Sequence, residues 1–402
     1  MPQIQPLQLF RLPWSMSDNA MSWLEPTRQC NLHCDACFHT NDASSRKTLG
    51  QIETELTSML AQRRCDAMLI AGGEPLTHPE IAKVVRLVKK YKCKPALVTN
   101  GMGLDAGKVK ELKVAGLMGF VFHVDSHQSR PGWSGSNEGD LNTLREELAT
   151  LVYRAGGMAC AFNITVFPDT LSQIPAVVDW AVRNVHMVQG LTLIAVRMTH
   201  PSDPWDYWVG NRRVEISETP YVSEERYAKL TAQELYNQIV QILPHYRFNA
   251  YLGGTVLPDS TKWVVGNHIA SRRTSYGNVG PRTMELLQNV HHAWFGKYLA
   301  YTKPQLNRKA KWMFLLAPWD RELRKALAAY AAAIIKNPLR AFEKLRIQSL
   351  TVVQPVDILP NGEMDTCDGC PNRTYWNGRL VAACRFVIPK CPAIIEWVHH
   401  AI

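Results

Sequence analysis

Residues 23–37 read WLEPTRQCNLHCDAC, an apolar run that passes directly into a loop with three cysteines. The cysteines, spaced C-x3-C-x2-C, are Cys30, Cys34 and Cys37. Three thiolates on one tight loop can bind three irons of a four-iron, four-sulfur (4Fe–4S) cube. The fourth iron then has no protein ligand, so a small molecule must complete its coordination. A structural zinc site is the alternative, since His33 and His39 are available as a fourth ligand.

Short apolar runs alternate with amphipathic stretches on both sides of this loop. The runs that we predict to be strands are Trp23–Thr27, Ala67–Ala71, Ala96–Thr99, Gly119–Val124, Cys160–Phe167 and Leu191–Val196. The stretches that we predict to be helices are Gly50–Gln62, Pro79–Lys90, Asp105–Val114, Leu141–Arg154 and Gln173–Val185. This alternation predicts a parallel sheet with right-handed crossovers. Six strands are too few for the closed eight-stranded barrel, so we expect an α/β fold, a partial (β/α)6 TIM-like barrel.

The alternation divides the chain into four predicted regions. They are an N-terminal extension (1–20), the partial barrel (21–199), a basic and aromatic helical insertion over the barrel mouth (200–349), and a small Cys-rich C-terminal extension (350–402). In the last two regions we predict helices over Ser223–Leu243, Thr283–Tyr298, Asp320–Lys336 and Pro338–Arg346, and a strand over Leu350–Ile358.

Polar and glycine residues stand where the predicted strands end. They are Gly72, Gly73, Glu74 and Pro75 after the second strand, Asn100 after the third, His123, Asp125 and His127 at the fourth, Asn163 in the fifth, and Arg197 after the sixth. The two glycines allow a backbone to approach a ligand closely. There are simpler alternatives. A strand-to-helix turn would account for the Gly-Gly-Glu-Pro string, a turn asparagine for Asn100, and a salt bridge at the rim for Arg197. Because function gathers at the C-terminal ends of such strands, we expect these residues to share a site.

The cysteine triplet on the loop after the first strand, with GGEP one unit later, resembles the radical S-adenosylmethionine (SAM) superfamily. The resemblance spans about residues 20–197 and departs at Ala36, where the family usually has an aromatic residue. It implies that Cys30, Cys34 and Cys37 bind a 4Fe–4S cluster and that the GGEP segment binds the amino group of SAM. Asn100, Asp125, Asn163 and Arg197 are then further cofactor-binding candidates, with Arg197 pairing the SAM carboxylate.

The same resemblance implies a reaction. A reduced cluster cleaves SAM to methionine and a 5′-deoxyadenosyl radical, which abstracts hydrogen from an unactivated carbon. Such an enzyme requires an electron donor, namely a reductase, flavodoxin or ferredoxin. The protein orients the reactants and excludes side reactions, while the cofactor supplies the reactivity.

A second group of cysteines lies near the end of the sequence. Its members, spaced C-x2-C-x13-C-x6-C, are Cys367, Cys370, Cys384 and Cys391. Four thiolates suit either structural zinc or a second iron–sulfur cluster. The tail is similar to that of tetraether-lipid synthases and pterin-methylating radical SAM enzymes, which favours an auxiliary iron–sulfur cluster. The isolated Cys65, Cys93 and Cys160 are expected to be buried thiols, although Cys160 could face the barrel as a hydrogen donor.

The charge of the chain is concentrated in one window. The 402 residues carry a formal charge of +10, and residues 297–346 hold twelve basic and three acidic residues, a net +9. Trp294, Phe295, Trp312, Phe314 and Trp319 lie in or beside this window. Basic residues among aromatic and aliphatic ones are typical of an interfacial membrane-binding segment. A solvated face of amphipathic helices that pack on the barrel is the alternative.

These features predict a small-molecule or lipid substrate that is hydrophobic or anionic, and peripheral contact with an anionic membrane. We do not expect nucleic acid, because no nucleic-acid-binding motif is visible. The first residues lack a secretory signal and no apolar run is long enough to span a bilayer, which predicts a cytoplasmic protein, peripheral at the inner membrane face. The alternatives are a peptide- or protein-modifying radical SAM enzyme, and a non-catalytic metal-cluster module that binds nucleic acid or membrane.

Overall fold

The computed structural model describes residues 2–37, 41–198, 205–209, 212–214, 229–302, 304–307, 309–359, 363–383 and 395–399. The strands are β1 (Phe10–Arg11), β2 (Met21–Thr27), β3 (Ala67–Gly72), β4 (Lys94–Thr99), β5 (Gly119–His123), β6 (Ala159–Val166), β7 (Gly190–Ala195), β8 (Trp205–Val209), β9 (Arg212–Val214), β10 (Ala250–Leu252), β11 (Trp263–Ala270), β12 (Ser275–Asn278), β13 (Arg346–Val353), β14 (Asp357–Ile358), β15 (Met364–Asp365), β16 (Arg373–Trp376), β17 (Arg379–Ala382) and β18 (Ile395–His399). Eleven of them form one sheet in the order β1-β10-β11-β13-β7-β6-β5-β4-β3-β2, with β12 paired to β11.

The first five helices alternate with the parallel strands β2 to β7, and the others follow later in the chain. The helices are α1 (Leu49–Gln62), α2 (Ile81–Lys90), α3 (Ala106–Ala115), α4 (Asn142–Ala155), α5 (Ile174–Arg183), α6 (Ala232–Ile242), α7 (Pro281–Phe295), α8 (Pro304–Asn307) and α9 (Arg321–Lys336). Strands β2 to β7 are consecutive neighbours and all parallel. The predicted α/β class and the six-stranded partial barrel are therefore confirmed, with most element ends within two residues of the prediction.

Local sequence signals set the ends of these helices. Thr48 and Gln51 form a reciprocal capping box at the start of α1, and Asp105 caps α3 through the backbone N–H of Lys108. Helix α3 ends at Gly116, whose φ of 104° lies in the left-handed region that glycine adopts without strain. These caps satisfy backbone groups that would otherwise lack partners at the helix ends.

The barrel strands bury one face completely and leave the other partly accessible. In β6, Phe162 and Ile164 are fully buried, whereas Ala161, Asn163 and Thr165 are half-buried. Because successive side chains of a strand point to opposite faces, the first set packs under the helices and the second set lines the interior of the barrel. Cys160 belongs to the buried, helix-facing set, so the expectation that it could face the interior is wrong.

The stretch 200–349, expected to be helical, also contributes strands to the barrel sheet. Strand β11 pairs antiparallel with β10, β12 and β13, and β13 pairs parallel with β7. The predicted strand Leu350–Ile358 begins earlier, at Arg346, and only its first part continues the barrel. The helical predictions in this stretch correspond to α6, α7, α9 and a 3-10 turn over Pro338–Phe342, and residues 223–228 of the first of them lie outside the described residues.

The basic and aromatic segment does not cover the end of the barrel that we expected. His292 pairs with Asp18 at 2.9 Å, the backbone N–H of Ala300 donates to Asp66, and the Tyr301 hydroxyl donates to the backbone oxygen of Lys94. Asp18, Asp66 and Lys94 precede or begin β2, β3 and β4, so this segment lies at the N-terminal ends of the strands. The opposite end, where the cysteine loop leaves β2, is the expected site of chemistry.

The C-terminal part of the chain lies along the free edge of β2. Ser22 donates to the backbone oxygen of Arg373, and the Arg28 guanidinium lies 4.8 Å from the ring centroid of Trp376. The hairpin β16–β17 therefore runs beside β2 from its beginning to its end. Strands β8, β9 and β18 form a separate three-stranded antiparallel sheet.

Candidate active site

The cysteine loop begins directly after β2 and rests on the two glycines that end β3. The backbone N–H of Gly73 donates to the oxygen of Thr27, and that of Glu74 donates to the oxygen of Gln29. A Cβ atom at Gly73 would lie 2.3 Å from the oxygen of Arg28, and Gly72 has a φ of 110°. Only glycine fits at these two positions, because the loop backbone occupies the space of a side chain.

Glu74 ties three strand ends together. Its carboxylate, 1% exposed, accepts hydrogen bonds from the Thr99 hydroxyl at 2.6 Å, the backbone N–H of Asn100 at 2.7 Å and that of Leu76 at 2.9 Å. Burial raises the pKa of this carboxyl group, while the three donors oppose the shift. These three hydrogen bonds position the turn that follows β3 against the end of β4.

Asn100 reaches from the end of β4 to the cysteine loop. Its side-chain nitrogen donates to the Asn31 oxygen at 2.7 Å and lies 4.0 Å from Cys30 Sγ. Its backbone oxygen accepts a hydrogen bond from the buried guanidinium of Arg130 at 2.8 Å. Asn100 therefore connects the ends of β3 and β4 to the loop that carries the cysteines.

The environment of the cysteine loop fits a cationic group held by thiolates. Burial and the nearby carboxylate of Asp125 raise the pKa of the Cys34 thiol, and burial raises that of Cys30. Metals bind the thiolate form, which burial disfavours. A positively charged cluster would therefore stabilise these cysteines as thiolates. In the described ranges, no three His, Cys, Asp or Glu side chains form a group that could hold a single metal ion. A 4Fe–4S cube binds each of its thiolate ligands through a separate iron.

The polar residues after β5 form a connected network beside this loop. Buried Asp125 pairs with His123 at 2.8 Å and accepts from the backbone N–H groups of Thr165 and His127. His127 stacks on Phe167 and its ring nitrogens pair with carboxylates of the cysteine loop and of the loop after β6. Burial opposes protonation of His127, but the two carboxylates, Asp35 and Asp169, raise its pKa.

The strand register places Asn163 in a row of polar side chains across the barrel interior. His123 is opposite Asn163, Asn163 is opposite Thr192, and Thr192 is opposite Thr351. The row thus crosses β5, β6, β7 and β13 at one level. Hydroxyl, amide and imidazole groups at one level can bind the polar parts of a molecule that enters the barrel.

Arg197 lies at the same end of the sheet but is engaged elsewhere. Its Nε pairs with Asp357 at 2.9 Å, and its Nη1 donates to the backbone oxygens of Val196 and Leu230. Asp357 also accepts from Lys262, which is fully buried. None of the hydrogen bonds described for Arg197 reaches the cysteine loop, Glu74 or Asn100. Hydrogen bonds join Glu74, Asn100 and the cysteine loop to one another, whereas Arg197 belongs to a separate ion-pair network.

Two of the four C-terminal cysteines are described, and both are buried. A hydrogen bond from Cys367 lowers the pKa of the Cys370 thiol to about 6 although burial opposes this, and the Arg63 guanidinium donates to the backbone oxygen of Cys370 at 2.7 Å. Two adjacent buried thiols, of which Cys370 has the lowered pKa, suit half of a four-thiolate metal site. Cys384 and Cys391 lie outside the described residues.

The sequence-based interpretation missed several residues of the site. Arg130 holds Asn100, Glu25 is a buried carboxylate that accepts from the indole N–H of Trp23, and Thr192 and Thr351 complete the interior row. Glu25 could have been noticed in the sequence because it is an acidic residue within an apolar strand. Thr192 could have been noticed because it alternates with apolar residues along β7.

Comparison with known proteins agrees with this geometry. Residues 24–181 match the model of the Radical SAM superfamily. This match contains the cysteine loop, the glycine turn and strands β3 to β6. Residues 24–181 are therefore a radical SAM domain, and this superfamily uses a 4Fe–4S cluster and SAM.

Two curated relatives show what the chain is similar to. The 7,8-dihydro-6-hydroxymethylpterin dimethyltransferase of Methanocaldococcus jannaschii is 23% identical over 238 residues, which are 56% of this chain and 45% of that protein. The PqqA peptide cyclase of Gluconobacter oxydans is 24% identical over 158 residues, which are 38% of this chain and 42% of that protein. The chain thus spans less than half the length of each of these relatives. Among solved structures, Streptococcus suis SuiB bound to S-adenosylmethionine is 17% identical, with a TM-score of 0.36 over 45% of this chain and 42% of that chain.

Proposed function

We propose that the chain cleaves SAM reductively at a 4Fe–4S cluster held by Cys30, Cys34 and Cys37, and abstracts hydrogen from a substrate bound in the barrel. When bound, the cluster and SAM supply a 5′-deoxyadenosyl radical. The observation that carries the proposal is the set of hydrogen bonds by which Glu74 and Asn100 join three strand ends to the cysteine loop. Such a pre-organised loop holds its thiols in place without reorganisation during reaction.

The chain's own residues have defined tasks in this proposal. Gly72 and Gly73 let the backbone lie against the cysteine loop, and Glu74 locks that backbone in place. Asn100 and Arg130 fix the side of the loop that carries Cys30. The buried carboxylate of Asp125 orients the imidazole of His123 and holds the backbone of His127. The proposed contacts of the cofactor also include Asn163, Asp125 and Arg197.

The barrel interior supports a polar, uncharged substrate portion, because the interior row presents imidazole, amide and hydroxyl groups. A hydrophobic, anionic or lipid substrate was expected from the basic window. That window contacts the opposite ends of the strands, so its charge gives no support to an anionic substrate at the radical site. An aliphatic part of the substrate fits beside Val121 and Ile194, which share the interior face.

Peptide modification is the second candidate. The similarity to PqqA peptide cyclase favours it. A short extended peptide and a small polar metabolite both present amide or hydroxyl groups to the interior row. Isotope transfer separates them: a deuterated substrate of the correct class places deuterium in 5′-deoxyadenosine, and a substrate of the wrong class does not.

The proposal includes three further elements. A reductase, flavodoxin or ferredoxin supplies the electron, and Cys367, Cys370, Cys384 and Cys391 hold a second iron–sulfur cluster. The protein is cytoplasmic and contacts the inner membrane face peripherally, through a surface remote from the radical site. A non-catalytic cluster module is the competing class.

The binding of SAM tests the proposal. Anaerobically reconstituted and reduced protein should give the electron paramagnetic resonance signal of a reduced 4Fe–4S cluster, and SAM should change that signal. A Cys34→Ala variant should lose the SAM-dependent change and keep only the signal of the proposed second cluster, while Cys160→Ala, at a buried thiol outside the site, should keep the response to SAM. A cluster signal that SAM leaves unchanged would favour the non-catalytic module.

A further inference from the structure

Exposed apolar side chains are concentrated in one part of the chain. Of the seventeen large apolar side chains that are largely exposed within the described ranges, twelve lie between residues 286 and 342. Soluble proteins rarely expose many large apolar groups together, and such groups rimmed by polar residues mark interaction sites. This part of the chain therefore presents an interaction surface.

Helix α7 carries the first part of this surface. Leu286, Val290 and Trp294 are 38%, 47% and 82% exposed and lie four residues apart. Residues spaced by four form one stripe along a helix, so these three side chains point in one direction. Gln288 is buried on the side of the helix that packs on the protein, whereas Thr283, in the first turn and in line with the stripe, is covered by Asp320. Helix α7 thus has an outward apolar stripe in addition to its packed side.

The 3-10 turn Ala310–Leu316 and the residues that follow it carry the second part. Trp312, Leu315 and Trp319 are each 68% to 70% exposed. This segment adjoins the first turn of α7, because Asp320 accepts hydrogen bonds from the backbone N–H and hydroxyl of Thr283. The two parts therefore belong to one surface, which we call the aromatic face. Its members are Leu286, Val290, Trp294, Trp312, Leu315 and Trp319.

The charges around the aromatic face are mostly positive. Residues 281–346, which contain the whole face, have thirteen basic and four acidic residues, a net +9. Asp320 caps α9, Glu322 pairs with Lys325 and Glu343 accepts from the Tyr276 hydroxyl, while Glu285 on α7 is exposed. The net positive charge complements an anionic partner.

We propose that the aromatic face docks on an anionic phospholipid bilayer. Tryptophan and leucine insert at the level of the headgroups, and basic residues beside them attract anionic lipids. None of the helices in the described ranges is both long and apolar enough to cross a bilayer, so the contact is interfacial. This inference rests on the peripheral membrane contact proposed above and names the surface that makes it. It does not depend on radical chemistry.

The docking surface also sets the orientation of the radical site. The segment that follows α7 contacts the N-terminal ends of β2, β3 and β4, whereas the cysteine loop leaves the C-terminal end of β2. A docked protein therefore holds the open, cysteine end of the barrel away from the bilayer. Substrate and electron donor reach that end from the aqueous side.

Vesicle flotation tests the proposal on the full-length protein. With vesicles of phosphatidylcholine and phosphatidylglycerol at low salt, the floated fraction should exceed that with phosphatidylcholine alone at least about tenfold, and molar salt should reduce it. A variant with Trp294→Ser, Trp312→Ser and Trp319→Ser should lose most of the binding. A variant with Arg321→Glu and Lys336→Glu should lose its dependence on phosphatidylglycerol. The matched controls, Val114→Ser and Lys110→Glu on the exposed side of α3, should bind like the wild type.

Other outcomes would overturn the proposal. If the wild type bound equally to both kinds of vesicle, or if the α3 controls lost as much binding as the variants of the face, the aromatic face would not be the docking surface. A dimer that the triple tryptophan variant abolishes, without flotation of the wild type, would make the face a contact between two copies. Salt-sensitive binding of single-stranded RNA without flotation would assign it to nucleic acid. Circular dichroism checks that each variant is folded, and SAM cleavage by the variants separates a failure of docking from a failure of the enzyme.

Discussion

The carboxylate of Glu74 accepts a hydrogen bond of 2.7 Å from the backbone N–H of Asn100, and so joins the ends of β3 and β4. Asn100 in turn donates to Asn31 in the cysteine loop. The position of the three cysteines therefore depends on a buried carboxylate one strand away. This relationship explains why a glutamate follows the two glycines: its carboxylate offers two oxygens to three donors.

Glu74→Gln should destabilise the protein by about 1–3 kcal/mol, since an amide NH2 would replace one acceptor oxygen opposite a buried donor. Urea unfolding under anaerobic conditions measures this change. Glu80, whose partly exposed side chain pairs with nearby Lys83, provides the control: Glu80→Gln should change the free energy of unfolding by less than about 0.5 kcal/mol. Equal effects in both variants would show that Glu74 does not hold the strand ends together.

Much of the barrel could be predicted from the sequence because its signals are local. Apolar runs of strand length, the capping residue Asp105 and the terminating Gly116 each act within a few neighbouring residues. The cysteine spacing and the glycine turn also identified the main loops of the site. These features depend on short-range geometry, which a single sequence displays.

The missed features depend on contacts between distant residues. Strand β10 has three residues, and β11 contains Gly266 and Asn267, which weaken a strand pattern; both strands are stabilised by neighbours far along the chain. Contacts such as that of Tyr301 with Lys94 determine at which end of the barrel the basic window lies. The pattern of apolar residues in the sequence does not indicate such contacts. The pairing of Arg197 with Asp357 likewise joins residues 160 positions apart.

Acid should destabilise the protein through a buried histidine. His268 is 1% exposed between Ser275 and Gln348, and burial lowers its pKa to about 4. The unfolded state has the higher pKa and binds more protons between pH 6.5 and 4, so stability falls as the pH falls through this window. From pH 7 to pH 5 the loss from this group should be about 2 kcal/mol.

Urea unfolding of the wild type and of His268→Gln at pH 7 and pH 5 measures this loss. The variant should be less stable at pH 7 but should lose less stability on acidification. His245→Gln, at an exposed position, should keep the acid dependence of the wild type. An unchanged pH dependence in His268→Gln would show that another group is responsible.

The C-terminal cysteines should bind iron independently of the first cluster. A variant with Cys30, Cys34 and Cys37 changed to alanine, reconstituted anaerobically, should retain iron and sulfide. Adding Cys367→Ser and Cys370→Ser should remove them, whereas adding Cys160→Ser should not. Zinc without iron in the first variant would replace the second iron–sulfur cluster with a structural zinc site.

The central claim is that Cys30, Cys34 and Cys37 build a radical SAM centre on the Glu74–Asn100 scaffold. Its most direct measurement is the 5′-deoxyadenosine formed from SAM by reconstituted, dithionite-reduced protein without oxygen. The wild type and Cys160→Ala should produce 5′-deoxyadenosine and methionine in equal amounts, and Cys34→Ala should produce neither. A wild-type protein with a full, reducible cluster that forms no 5′-deoxyadenosine, even with cell extract as a source of substrate, would contradict the claim.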